Sequence, residues 1–434
     1  MKIYVLASLV IVMNSRAQVV STLAGNTTAG SADGIGAAAG FNAPFGVCTD
    51  GSGNLYVADL LNNEIRKIVI STGVVSTLAG NTTGGSADGI GVAASFNHPY
   101  GVALDGLGNL FVADANNNEI RKIVISTGVV STLAGNTTAG SANGIGAAAS
   151  FNYPTGVAAD GLGNLYVADY NNNEIRKIVI STGVVSTLAG TTTFGSADGI
   201  GAAASFHRPY GIAIDGLGNL FVADANNNEI RKIVISSKVV STMAGNTTVG
   251  SANGIGVAAS FNYPTGVSVD GLGNLYVADY TNNEIRKIVI STGVVSTVAG
   301  NGTIGSNNGT GPAATFYYPS GIAADGLGNL YVAGDNNNEI RKIVIGGAVG
   351  IQQFTSINEQ VNIYPNPNNG NFTMELADYK DETKLQIANL LGEKIHEQKL
   401  NSKVTELNFN LKSGIYLINI IDLKSSYNTK MIIE

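Results

Sequence analysis

The sequence predicts an all-β protein, a six-bladed β-propeller followed by a small C-terminal β-sandwich, and three observations carry that prediction. A block of 55 residues recurs almost letter for letter, with its Val-Val-Ser-Thr start at Val19, Val74, Val129, Val184, Val239 and Val294. A fixed period in this range marks a solenoid, a propeller or an array. Each copy holds four short apolar runs, in the second copy residues 74–79, 100–104, 110–113 and 119–125, split by Asp-Gly-Leu-Gly-Asn and Ser-Thr-Gly turn chemistry. Four strands are one propeller blade. Finally, the array is out of phase with itself: it begins with a lone strand at residues 19–24 and its last copy ends after Ile345 without a Val-Val-Ser-Thr strand of its own. Pairing the first strand with the last three would close the ring and leave no open edge.

The elements follow in chain order. Residues 1–17 read as a secretory signal, with Lys2, an apolar run from Ile3 to Met13 and the small-residue end Ser15-Arg16-Ala17. That run is too short to span a bilayer comfortably, and no later stretch looks transmembrane. Residues 18–347 are the propeller. Its blade exceeds the 40–45 residues of a WD40 unit, and the surplus lies between the Val-Val-Ser-Thr strand and the next Pro-x-Gly strand, where an Ala-rich stretch such as Ala37-Ala38-Ala39 has room for one helical turn. Residues 348–357 read as a linker. Beyond it only 3 of the 56 glycines remain (Gly370, Gly392, Gly414) and arginine disappears. Short alternating runs over residues 358–434 then suggest the sandwich.

Composition narrows the function classes. A net charge of −7 argues against nucleic acid as a partner. The lone cysteine, Cys48, stands where other blades have a small core residue and forms no intrachain disulfide.

Two stretches resemble known families. The Pro-x-Gly-Val-Ala, Gly-Asn-Leu-Tyr-Val-Ala-Asp and Asn-Asn-Glu-Ile-Arg-Lys-Ile strings between Pro154 and Ile178, repeated in all six copies, resemble NHL repeats, whose family fold is a propeller of four-stranded blades, most often six. Tyr364-Pro365-Asn366-Pro367, Leu391-Gly392 and Ser413-Gly414-Ile415-Tyr416-Leu417, in that order at the C-terminus, resemble the type A sorting domain of the Bacteroidetes type IX secretion system. That resemblance implies the type IX machinery as a partner, transit across the outer membrane, and a secreted or surface-attached mature protein.

Several motifs invite chemistry and do not carry it. Asp-Gly-Leu-Gly-Asn has Leu at the middle ligand position of a calcium loop in five of six copies, so it reads as a tight turn. Asp33-Gly34-Ile35-Gly36 lacks the long helix that a phosphate loop opens. The Asp of Val-Ala-Asp and the Arg of Asn-Glu-Ile-Arg recur in register, as a structural ring of ion pairs would. Six-bladed hydrolases and lyases build metal sites from different residues on different blades. Here the blades are near-identical and the histidines are His98, His207 and His396, which supply no zinc triad. No cofactor is expected.

The positions that differ between blades are more informative. Before the Pro stand Ala43, His98, Tyr153, Arg208, Tyr263 and Tyr318; after it, Phe45, Tyr100, Thr155, Tyr210, Thr265 and Ser320; after Val-Ala-Asp, Leu60, Ala115, Tyr170, Ala225, Tyr280 and Asp335. In a propeller these loops emerge on one face. The expected site is therefore a mildly basic aromatic rim of His98, Tyr100, Tyr153, Tyr170, Arg208, Tyr210, Tyr263, Tyr280 and Tyr318, suited to a glycan or protein ligand because tyrosine joins a large apolar face to a polar tip. A metal-dependent hydrolase or lyase, or a surface-layer spacer without a ligand, are the alternatives. Alanine at Tyr153, Tyr170, Tyr263 and Tyr280 is expected to abolish binding without lowering the melting temperature.

Overall fold

The computed structural model describes residues 18–345, 361–365, 370–376, 383–388, 394–409, 411, 414–421 and 426–433. The signal at 1–17 and the linker at 348–357 lie outside the described residues. The chain divides into two compact units, one through Gly346 and one from Gly347.

The first unit is a six-bladed propeller. In the second blade the strands Pro99–Leu104, Asn109–Asp114, Glu119–Val124 and Val129–Gly135 pair antiparallel from the axis outward. Both faces of the second strand are buried from Leu110 to Asp114, because each blade is packed between two others. This is why the run reads as continuously apolar and not as alternating. Ala103, Phe111, Ala113 and Ile120 of this blade interlock with Val157, Leu165, Val167 and Ile178 of the next.

The ring closes as the phase of the repeats requires. The first strand, Val19–Gly25, pairs antiparallel with Glu339–Val344 of the last blade, from Val19 opposite Val344 to Gly25 opposite Glu339. At the axis the six innermost strands touch directly. A Cβ at Gly46 would overlap the Tyr100 carbonyl, and the same holds for Gly101 on Thr155, Gly156 on Tyr210, Gly211 on Thr265, Gly266 on Ser320 and Gly321 on Phe45. Glycine here serves close approach of backbones, its role wherever a side chain would hold them apart.

Each sheet has five strands, one more than the sequence predicts. The extra one is a two-residue strand, Gly89–Ile90 in the second blade, which pairs with the outer strand at Val129 and Val130. It is followed by a single 3-10 turn, Gly91–Ala93. The long link thus runs over the outer edge of its own blade before descending to the axis, and it covers an edge that would otherwise be open.

The second unit is a sandwich of two sheets. One orders Val361–Tyr364, Asn371–Leu376 and Val404–Asn408; the other orders Lys394–Lys399, Lys384–Ala388, Gly414–Ile421 and Ser426–Ile433. Phe372, Met374 and Leu376 face Leu385, Ile387, Ile418 and Ile420 across the core. Asn366, Pro367, Leu391, Gly392 and Ser413 of the sorting motifs lie outside the described residues.

Candidate functional site

A buried polar layer positions the loops at one mouth of the channel. In the second blade Arg121 is fully buried and its Nη1 donates to Asp114 Oδ2 at 2.9 Å, while Asn117 Nδ2 donates to the same oxygen at 2.8 Å. The Asn97 amide donates to Asp114 Oδ1 at 2.7 Å, and the guanidinium lies 5.4 Å from the centre of the Phe96 ring. The Asp–Arg distance stays within 2.7–3.0 Å in the first five blades. The Asp of Val-Ala-Asp is thus the hub to which both mouth loops are tied.

The second Asn of each Asn-Asn-Glu string adds a link between blades. Asn118 sits in left-handed backbone, φ 53°, and its Oδ1 accepts from the amide of Tyr153 in the next blade at 2.8 Å. Equivalent bonds reach His98, Arg208, Tyr263, Tyr318 and, across the closure, Ala43. Each donor of this link, the residue before the Pro, is itself held at φ 54–59°. Such backbone is costly for Tyr, His or Arg and persists only where the surroundings over-determine it.

On this frame the aromatic residues form a cup. Phe45 stacks on Tyr210 at 5.2 Å and meets Tyr100 edge-on at 4.8 Å, so the aromatic residues of blades one, two and four meet over the channel. Tyr170 packs edge-on against Tyr210 at 5.3 Å, and Tyr280 lies parallel to Tyr318 at 4.5 Å. The hydroxyls pair off: Tyr153 donates to Tyr100 at 3.0 Å, Tyr170 and Tyr263 share a bond of 2.8 Å, and Tyr280 donates to Asp335 Oδ2 at 2.6 Å. These rings enclose a cavity of about 220 Å³ lined also by Leu60, Thr265 and Asp335.

Its electrostatics are simple. Burial pushes the phenols of Tyr153, Tyr210, Tyr263 and Tyr280 well up, so they stay protonated and offer neutral hydroxyls. Burial also raises the Asp335 carboxyl, against the pull of the Tyr280 hydrogen bond. Arg208 is exposed and lies 5.4 Å over the Tyr170 ring.

Of the expected residues, Tyr100, Tyr153, Tyr170, Tyr210, Tyr263 and Tyr280 line this cavity. Tyr318 and Arg208 stack behind its walls. His98 does not line it: its Nδ1 lies 2.8 Å from Asn116 Nδ2, and the ring is spent on that outer loop. The expected rim is corrected in a second respect, because Asp335 gives the cavity a carboxylate while Arg208 stands outside it. Phe45, Leu60 and Asp335 occupy the variable positions but are not tyrosines, and selecting by residue type passes over them; selecting by position finds them.

The other motifs resolve plainly. Asp105 Oδ1 accepts from the amides of Leu107 and Asn109 at 2.8 and 3.1 Å, and its Oδ2 accepts from Asn109 Nδ2 at 2.6 Å. The carboxylate of Asp-Gly-Leu-Gly-Asn is therefore engaged by its own turn. Cys48 packs against the core between the first two blades, and burial pushes its thiol up.

Fold and tail together define an exported six-bladed propeller protein carrying its own secretion module. The chain carries NHL repeats, matched at residues 96–123, 151–178 and 261–288, and a β-propeller repeat at 309–340. It ends in a secretion system C-terminal sorting domain, matched at residues 362–434, the type IX tail that marks a protein for export and the cell surface. Among the described residues no helix is long and apolar enough to cross a membrane. Over 279 residues the chain is 31% identical to the Arabidopsis thaliana protein Suppressor of Quenching 1, chloroplastic, covering 61% of this chain and 26% of that one. It is 30% identical over 311 residues to NHL repeat-containing protein 2 of Bos taurus, 63% of this chain and 42% of the relative. The chain therefore spans between about a quarter and two-fifths of these relatives. Among solved structures, a Bacteroides thetaiotaomicron protein of unknown function superposes with a TM-score of 0.60 at 22% identity, over 76% of each chain. An auxiliary nutrient binding protein from the same species gives 0.56 at 17%, over 75% and 76%. At these identities the likeness is one of fold.

Proposed function

We propose that the protein is an exported recognition propeller whose tyrosine cup binds a single sugar ring or side chain of a glycan or protein ligand. The observation that carries this reading is the convergence of seven aromatic rings from the first five blades on one cavity, with the sixth blade contributing Asp335. Small-molecule pockets run to roughly 300–1,000 Å³, so a cavity of about 220 Å³ suits one ring or one side chain and not an extended chain. Aromatic faces supply stacking area, and the hydroxyls already trade hydrogen bonds among themselves that a sugar or peptide group can take over. The propeller fold shared with a Bacteroides auxiliary nutrient binding protein is in keeping with capture of a nutrient or surface polymer.

The same chemistry favours binding over catalysis. The phenols are held protonated, and the lone carboxylate of the cup, Asp335, is engaged by Tyr280. A general acid–base pair needs two groups whose proton affinities are set apart near the working pH.

The test is a glycan and peptide array probed with the full chain beside Tyr153→Ala and Asp335→Asn, with melting temperature as the fold check. Loss of a hit in either variant at an unchanged melting temperature supports the reading. A hit that survives both places the ligand elsewhere. No hit from well-folded protein favours a structural spacer.

A further inference from the structure

The sixth blade lacks one of the charges on which the others are built. In blade three, Asp169 accepts from Arg176 Nη1 at 2.7 Å, from Asn172 Nδ2 at 2.8 Å and from the Asn152 amide at 2.8 Å. In blade six the residue at that position is Gly334, while all three donors remain as Arg341, Asn337 and the Tyr317 amide. Arg341 is fully buried and Asn337 is 5% exposed. Arg341 Nη1 keeps only its bond to the Thr315 carbonyl at 3.1 Å, and the closest carboxylate, Glu339, is 3.9 Å away, beyond hydrogen-bond length.

Charge counting gives the same answer. Arg176 has Asp169 and Glu174 beside it, with the neutral Asn143 on its other side. Arg341 has Glu339 and the neutral Asn308. Around the guanidinium the two blades differ by one negative charge, because the aspartate that follows Gly334, Asp335, accepts from Tyr280 in the cup and forms no ion pair with Arg341; burying an arginine with too little compensation is costly.

We infer that blade six binds a small monovalent anion, of the halide or formate class, between Arg341, Asn337 and the Tyr317 amide, where the other blades place an aspartate carboxylate. The donors that hold an aspartate carboxylate in the other blades match what such an anion accepts, and replacing Asp with Gly removes that carboxylate from among them. One anion gives Arg341 the partner that Arg176 has in Asp169. Because this blade is the one completed by the N-terminal strand, the anion would bolt the ring at its closure.

The experiment is the melting temperature of the full chain, titrated with sodium chloride, bromide or formate against sodium gluconate at constant ionic strength. A saturable rise is expected, about 4 °C at a hundredfold excess over Kd for a unit of this size. In Gly334→Asp the rise should vanish and the melting temperature without added anion should match or exceed that of the loaded wild type. Gly334 is not in left-handed backbone, and a Cβ there meets Asn337 Cβ closely, at 3.3 Å, but Asp and Asn occupy these two positions together in the other five blades. No saturable rise in the wild type, or the same rise in the variant, would overturn the inference. If the variant does not fold, bromide-soaked crystals decide: an anomalous peak beside Arg341 and at none of the other five buried arginines of the layer supports the site, and its absence removes it.

Discussion

The buried arginine layer and the mouth loops that it anchors obey opposite rules. Within the layer, five blades repeat one arrangement of Asp, Arg, Asn and Phe with Asp–Arg distances confined to 2.7–3.0 Å. At the mouth no two neighbouring blades present the same triplet of variable side chains. The mouth is nevertheless not random. Where the residue after the Pro is Tyr100 or Tyr210, the residue after Val-Ala-Asp is Ala115 or Ala225; where it is Thr155 or Thr265, the partner is Tyr170 or Tyr280. Each of these blades thus supplies one ring from this pair of positions, and the volume around the axis explains why, since interiors fill to a fixed density. The repeated layer sets where loops stand; packing among the loops sets which of them carries the ring.

The sharpest way to break this contrast is to remove one arginine from the layer. Arg176→Met leaves Asp169 buried with no counter-charge, and a loss of about 3–5 kcal/mol is expected in urea unfolding of the full chain. Arg341→Met, in the blade that has already lost its aspartate, should cost distinctly less. Equal losses would mean that the pair itself contributes little. A smaller effect is expected at the axis. Gly156→Ala drives a methyl into the Tyr210 carbonyl, an overpacking worth about 1–3 kcal/mol. Gly216→Ala, in an outer turn with nothing within 4 Å of its Cβ, should change stability by about 0.5 kcal/mol or less. If the two glycines behave alike, close approach is not what glycine supplies at the axis.

At the mouth the effects shrink further. Tyr170→Phe keeps the ring and removes the 2.8 Å bond to Tyr263, for an expected loss of about 1 kcal/mol in the same unfolding experiment. Tyr170→Ala is different, because the ring is 9% exposed and packs against Tyr153 and Tyr210. A lower melting temperature is therefore expected for it, against the expectation from sequence that alanine there leaves the melting temperature unchanged.

What was legible in the sequence is what repeats. Blade number, closure by the first strand, expected at residues 19–24 and found at 19–25, and the strand bounds to within about one residue follow from a 55-residue period and its phase. The fifth strand was not legible: Gly89–Ile90 is two residues long, too short for any periodicity to register. The location of the mouth could be read because it is where the units differ. Its composition could be read only in part, since whether Asp335 or Arg208 enters the cavity depends on side-chain direction and packing, which sequence spacing does not encode. The same limit applies to Arg341, whose odd surroundings emerge only when Gly334 is compared with five aspartates in three dimensions.

The gentlest probe of the repeated layer is pH. Beside each buried arginine stands a glutamate 3.7–3.9 Å away with no hydrogen-bond partner for its Oε2. Burial pushes the carboxyls of Glu64, Glu119 and Glu229 from an ordinary 4.5 up to about 7, against the pull of the arginine. A folded state that holds these protons more tightly than the unfolded chain is stabilised wherever it binds more of them. That contribution is complete below about 4.5 and is lost as the pH rises through about 7. The turn carboxylates act the other way and elsewhere: hydrogen bonds hold Asp50 and Asp160 below 3.8 despite partial burial, so their contribution is lost only in more acidic solution. Between pH 5 and 8 the melting temperature of the propeller should therefore fall as pH rises. Glu119→Gln, which is neutral throughout, should flatten that slope by about one group's share. A melting temperature that climbs across this window would show that the glutamates are ionised at pH 5 and paired with their arginines after all.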